Sequence, residues 1–180
     1  NLFYWVLDKN ILENRKSSID FENEISQSIM VFTTIEKKIN AVKRNFRRNI
    51  LRIGIRDLFL NVRLEDITYE LSSLADSIIK IITELAINEM TLKYGKKPDT
   101  DFTILGLGKL GGYELNYSSD IDLIMVYRNE GEIKTRGKNI INFFDYYQEL
   151  GKTIIKLLSE TTSEGYLYRV DMRLRPDGNS

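Results

Sequence analysis

In "SSDIDLIMVY" two carboxylates, Asp120 and Asp122, flank Ile121 at the mouth of a continuous apolar run. Side chains at i and i+2 of a strand share a face, with Cα atoms about 6.6 Å apart, so both carboxylates address one small volume. Placing such charge at the start of a buried strand costs free energy unless something compensates it. Two carboxylates can grip a pair of divalent ions about 3.5–4 Å apart, the arrangement that displaces a group at phosphorus. The plainer alternative is two surface aspartates that cap a loop.

A third acidic residue favours the metal reading. In "YRVDMRLRP" period-two alternation sets Tyr168, Val170, Met172 and Leu174 on one face and Arg169, Asp171, Arg173 and Arg175 on the other. An aspartate among arginines is ordinarily an ion-paired surface group. Beside a metal pair, Asp171 becomes a third ligand and the arginines become donors for phosphate oxygens.

Just upstream, "GLGKLGG" fits G-x-G-x-x-G at Gly106, Gly108 and Gly111, the spacing of a dinucleotide-binding loop. In that fold the third glycine opens a crossover helix of at least about 10 residues, and the acidic ribose ligand follows about 20 residues on. Here only "GYELNYSS" separates Gly111 from Asp120, and the acidic pair starts the next strand instead of ending it. The dinucleotide reading fails on geometry. What remains is a glycine-rich loop, Gly108, Gly111 and Gly112 with Lys109 beside them, followed at once by Ser119 and the acidic pair. The plain reading of Lys109 and Ser119 is loop solvation.

The elements that must position these groups fall into two halves. From Ser17 to about Ile53, apolar residues recur at threes and fours and predict a long helix. Leu64 through Leu85 repeat the pattern and predict a second helix ending by Gly95 and Pro98. Residues 1–98 therefore read as a helical bundle, with "NLFYWVL" as a further short helix. Lys37, Lys38, Lys43, Arg44, Arg47, Arg48, Arg52 and Arg56 form a basic stretch, read first as a solvated helix face and second as a site for an acidic partner, and Gly54 reads as a packing or bend position. After Pro98 the pattern changes to strand, glycine loop, strand, helix (Ile140, Phe144, Tyr147, Leu150, Ile154, Leu158) and strand. Residues 99–180 form a small mixed sheet with flanking helices, and the whole is of the α+β class.

Composition narrows the chemistry further. Basic and acidic residues both number 26 among 180, so no global charge argues for nucleic acid or membrane. The chain has no Cys and no His, which excludes thiol nucleophiles, Cys/His zinc sites and imidazole bases. It begins without Met and stops in "RPDGNS" with no element to close it, and so reads as a piece of a longer protein.

"GLGKLGGYELNYSSDIDLIMVY" and "YRVDMRLRPDG" closely resemble the glutamine synthetase adenylyltransferase/adenylyl-removing enzyme family, of the DNA polymerase β-like nucleotidyltransferases. "FRRNILRIGIRDLF" and "LSSLADSII" are similar too, so the likeness covers about residues 40 to 180. The resemblance implies a nucleotidyltransferase core with Asp120, Asp122 and Asp171 as catalytic metal ligands for two Mg²⁺ ions, Mn²⁺ being the alternative. It also implies phosphate or nucleotide contacts from Gly108, Lys109, Gly111, Gly112, Ser119, Arg169 and Arg173. The implied partners are glutamine synthetase as protein substrate, ATP or ADP with phosphate, and a PII-type signalling protein, in the cytoplasm. The family's enzymes carry one half that attaches AMP to a tyrosine and one that removes it by phosphorolysis. "ELNYSSDIDL" and "YRVDMRLRP" resemble the removing half, whereas the attaching half more often has Glu where Arg169 stands; the Asn of "DGNS" leans towards attachment. The competing readings are the attaching half, a regulatory module that keeps the fold without turnover and, last, an RNA-directed enzyme of the same superfamily.

Overall fold

A computed structural model describes residues 9–137 and 139–174. Helix α1 spans Lys9–Glu13, α2 Ser18–Met30, α3 Ile35–Phe59 and α4 Leu64–Tyr94. Ser17 starts α2 with a capping box, its hydroxyl accepting from the Asp20 amide while the Asp20 carboxylate accepts from the Ser17 amide. Gly95, at φ +89°, ends α4 in the left-handed region that favours glycine. Helices α2, α3 and α4 pack pairwise, burying Phe21, Ile25, Val42, Ile53, Leu74 and Ile78 completely.

The helix expected from Ser17 to Ile53 is two helices. It breaks at residues 31–34, where Val31, Thr33 and Thr34 are β-branched and restricted in a helix. The break lets α3 fold back on α2, so one apolar stripe faces itself. The segment "NLFYWVL" lies outside the described residues.

Beyond the bundle, β1 is Phe102–Gly106, a single helical turn α5 is Gly108–Gly111, and β2 is Ile121–Tyr127. A short hairpin follows, β3 Glu132–Lys134 with β4 Ile140–Asn142, then α6 Phe143–Ser159 and β5 Val170–Leu174. The sheet order is β1-β2-β5, with β1 antiparallel and β5 parallel to the central β2. Ile140, expected in the last helix, instead belongs to β4. Its spacing to Phe144 imitates a helical turn, but Asn142 caps α6 by accepting from the Asp145 amide, so the helix begins at Phe143. The last strand begins at Val170, later than the alternation from "YLYR" predicts, because the Leu167 and Tyr168 amides donate instead to the Leu158 carbonyl of α6, at 3.0 and 3.1 Å.

One face of the sheet is covered. Ile121, Leu123, Met125 and Tyr127 alternate inward along β2, and Tyr127 stacks on Tyr147 of α6 at 4.8 Å. A single hydrophobic core runs from Phe21 in the bundle to Leu158 and Tyr168 beside the sheet. The opposite face, carrying Leu105, Asp122 and Asp171, is exposed. Among the described residues no helix is long and apolar enough to cross a membrane.

The basic stretch is a solvated face only in part: Lys37, Arg44 and Arg47 are exposed. Lys43, Arg52 and Arg56 are buried, and both arginines hold the fully buried Glu70 of α4, at 2.5 Å from Arg52 and 3.1 Å from Arg56. Arg52 and Arg56 also donate to backbone carbonyls of Ile11, Asn14 and Leu12, pinning the chain around α1. Gly54 is neither a bend nor a close contact. Helix α3 runs through it, and a Cβ there would meet nothing within 4 Å.

Candidate active site

The site is built where β1 ends and β2 and β5 begin. β2 and β5 are parallel, and their register sets Asp122 directly beside Asp171. Register partners on adjacent strands point to the same face, so both carboxylates lie on the open side of the sheet, where both residues are exposed. Asp120 immediately precedes β2, and the Ile121 amide donates to the Arg169 carbonyl at 3.0 Å. That bond ties the approaches to the two strands together just ahead of the aspartates.

The glycine turn is fastened to the same point. The Leu107 amide donates to the Asp122 carbonyl at 2.9 Å. Gly108 then adopts φ +54°, and a Cβ there would lie 3.1 Å from the Asp122 Oδ2 atom, so the turn passes close over that carboxylate. At Gly111 the approach is closer, since a Cβ would lie 2.6 Å from the Gly106 carbonyl oxygen. The amides of Gly111 and Gly112 donate to the Leu107 and Gly108 carbonyls, at 3.1 and 3.0 Å. These bonds close the turn and occupy both amides, which the family resemblance directs towards phosphate; Leu110 is buried beneath the turn and Lys109 is exposed.

Other site residues expected from sequence are placed as follows. The Arg169 Nε bonds the Asp120 Oδ1 at 2.7 Å, with both side chains more than half exposed. Ser119 serves a local turn, its hydroxyl donating to the Asn116 Oδ1 at 2.7 Å. Arg173 lies on β5 opposite Ile124. Arg175 and "DGNS" lie outside the described residues.

The donor chemistry suits a hard divalent cation, being all carboxylate oxygen. Asp122 and Asp171 already share a face in register. Asp120 is turned onto Arg169, and among the described residues no three acidic side chains stand close enough together to enclose an ion. Engagement of all three by one ion pair therefore requires these exposed side chains to draw closer together than they stand.

Sequence reasoning missed the groups that hold the loop between the glycine turn and Asp120. Tyr113, at φ +57°, stacks on Tyr69 of α4 at 5.3 Å, and Arg15 sits over the Tyr69 ring at 4.2 Å. Asp76 of α4 stands near Tyr113; burial pushes its carboxyl above the ordinary value, and its charge in turn raises the Tyr113 phenol. The Ser72 hydroxyl accepts the Leu115 amide at 3.1 Å, and Tyr117 donates to Asp57 of α3 at 3.1 Å. Burial, followed by the Asp57 carboxylate, raises the Tyr117 phenol as well. The one signal for these roles is "LSSLADSII", where small polar residues interrupt an apolar helix.

A helical bundle fastened to a small mixed sheet, with opposed strand-start aspartates beneath a glycine turn, describes a phosphate-handling enzyme core of the kind that "GLGKLGG" and "SSDIDL" resemble. Comparison with known proteins agrees. Residues 2–180 match the family described as glutamate-ammonia ligase adenylyltransferase. Curated relatives named bifunctional glutamine synthetase adenylyltransferase/adenylyl-removing enzyme include that of Shewanella loihica, 36% identical over 89% of this chain and 17% of the relative. That of Pasteurella multocida is 33% identical over 97% of this chain and 19% of its own. That of Burkholderia pseudomallei is 40% identical over 71% of this chain and 14% of its own. The chain belongs to the glutamate-ammonia ligase adenylyltransferase family, a family of nucleotidyltransferases. It spans less than a fifth of the length of these relatives.

Proposed function

We propose that the chain carries the core of an adenylyl-removing enzyme that acts on glutamine synthetase. Inorganic phosphate attacks the phosphorus of adenylyl-tyrosine, the bond from phosphorus to the tyrosyl oxygen breaks, and ADP and free tyrosine leave. The observation that carries this reading is the register pairing of Asp122 with Asp171 on the open sheet face, under a glycine turn that touches Asp122. Asp120, Asp122 and Asp171 would hold two Mg²⁺ ions, or Mn²⁺, which supply charge neutralisation at the transferred phosphorus. Gly108, Lys109, Gly111, Gly112 and Ser119 line the approach to the phosphate oxygens, and Arg169 and Arg173 orient the incoming phosphate. Phosphate arrives as an anion, so a chain without histidine needs no imidazole base.

The removing direction rests on "ELNYSSDIDL" and "YRVDMRLRP", with Arg at position 169. A cytoplasmic setting, ATP as the nucleotide of the attaching reaction and control by a PII-type protein belong to the same proposal. Its test is incubation with adenylylated glutamine synthetase, Mg²⁺ and phosphate. We expect ADP to appear, and Asp122→Asn to abolish its release without lowering the melting temperature. Release of AMP would mean hydrolysis. Transfer of AMP from ATP to unmodified glutamine synthetase, with indifference to phosphate, would assign the chain to the attaching half.

A further inference from the structure

Beside the carboxylates lies a cavity of about 350 Å³, between α3 and the two loops that lead into β2 and β5. Ser119 and Arg169 line it, and these are the immediate neighbour of Asp120 and the arginine bonded to it. The cavity thus opens one side chain away from the site. Four of its other lining residues, Phe46, Tyr117, Tyr166 and Tyr168, are aromatic. Buried Tyr168 and half-buried Phe46 meet edge to face at 5.1 Å, while Tyr117 and Tyr166 expose nearly half of their area.

The walls are held in place before any ligand arrives. Tyr117 is anchored on Asp57 at 3.1 Å. The loop carrying Tyr166 is clamped to α3 by Glu164 paired with Arg44 and Arg47, and by the Lys43 ammonium donating to the Glu160 carbonyl at 2.6 Å. Pre-formed aromatic surface with its charges already paired suits a flat, neutral ring. The volume falls at the lower end of the range for small-molecule sites, roughly 300–1,000 Å³.

We propose that this cavity seats the nucleobase of the nucleotide whose phosphate lies on the aspartates, an inference that rests on the nucleotidyltransferase reading above. The competing ring is the phenol of the acceptor tyrosine. That ring belongs to a protein, for which the exposed sheet face around Leu105 and Asp122 offers a broader approach than a cavity of about 350 Å³. The base therefore takes the cavity and the acceptor comes over the sheet.

The test is calorimetric titration of the full chain, in Mg²⁺, with ADP and separately with tripolyphosphate, which carries the phosphates without the base. Tyr166→Ala should weaken ADP roughly five- to hundredfold, the usual loss when a base loses an aromatic platform. It should leave tripolyphosphate unchanged, and Tyr166→Phe should bind both as the unmodified chain does. Thermal melting of each variant checks that it is folded. Equal losses for both ligands, or unchanged ADP binding in Tyr166→Ala, would overturn the base assignment alone. Weakened binding of a tyrosine peptide with unchanged ADP would give the cavity to the acceptor ring. If the unmodified chain binds neither ADP nor tripolyphosphate, the nucleotide reading itself falls.

Discussion

Gly111 and Gly112 are adjacent, identical in type and equally eligible as phosphate-loop residues, yet the structure predicts opposite outcomes for the same substitution. At Gly111 an added Cβ lies 2.6 Å from the Gly106 carbonyl oxygen, whereas contacts become ordinary only near 3.4 Å. The obstacle is backbone, so no side-chain rotation relieves it, and the turn and β1 must part by about 0.8 Å, an overpacking that costs about 1–3 kcal/mol. At Gly112 the nearest atom is the Gly108 oxygen at 3.5 Å, an ordinary contact, and neither glycine sits at positive φ. Gly111→Ala should therefore lower the melting temperature by about 2–4 °C for each kcal/mol lost. It should cut ADP release more steeply, up to about 100-fold, because the turn that covers Asp122 moves by nearly an ångström. Gly112→Ala should be close to the unmodified chain in both measurements. If the two variants behaved alike, the close approach of turn to strand would not be what demands glycine here.

Two further predictions concern the frame around the site. Glu70→Gln keeps the shape of the buried side chain but leaves Arg52 and Arg56 without their shared carboxylate, so urea denaturation should show a loss of about 3–5 kcal/mol; a loss below about 1 kcal/mol would mean that the guanidinium groups find other partners. Burial raises the Asp76 carboxyl above its ordinary 3.8, so folding takes up protons between that value and the raised one, and stability declines as pH rises through that window. Asp76→Asn removes this cost, so the variant should be more stable than the unmodified chain at neutral pH, with the advantage vanishing as pH falls to 3.8. An advantage independent of pH would refute the assignment to this carboxyl.

Much of this architecture is legible in the sequence wherever one element decides the outcome. Alternation alone puts Val170 and Met172 on the covered face of β5 and Asp171 on the other, because period two is a property of a single strand; it does not reach Asp120 and Arg169, which precede their strands and bond each other. The register that sets Asp171 beside Asp122 is not legible, since it depends on how the α6 crossover returns the chain to β2. Periodicity also misleads where two elements share a phase. The apolar stripe runs unbroken from Ile29 to Ile35 although the helix does not, and Ile140 stands at helical spacing from Phe144 although it lies in a strand. The basic stretch fails for a related reason. Spacing gives the angle of each arginine around α3, but burial is decided by Glu70, in the next helix.

That basic stretch, which carried no role when read as sequence, bears on the site through the loops it fixes. Lys43, Arg44 and Arg47 hold residues 160–164, and the loop from there leads directly to Arg169 and Asp171. Asp57 of α3 and Tyr69, Ser72 and Asp76 of α4 hold Tyr113, Leu115 and Tyr117, on the loop that leads to Asp120. Each loop that ends in a site aspartate is thus anchored on the bundle as well as within the sheet half, where the Leu167 and Tyr168 amides donate to the Leu158 carbonyl and the Ile121 amide to that of Arg169. A three-stranded sheet with one open face cannot by itself fix two irregular approaches to within an ångström, and preorganised charge is useful only when it is so fixed. The helical half therefore acts as the jig for the aspartates, a role that gives "FRRNILRIGIRDLF" and "LSSLADSII", with no catalytic side chain between them, a part in building the site.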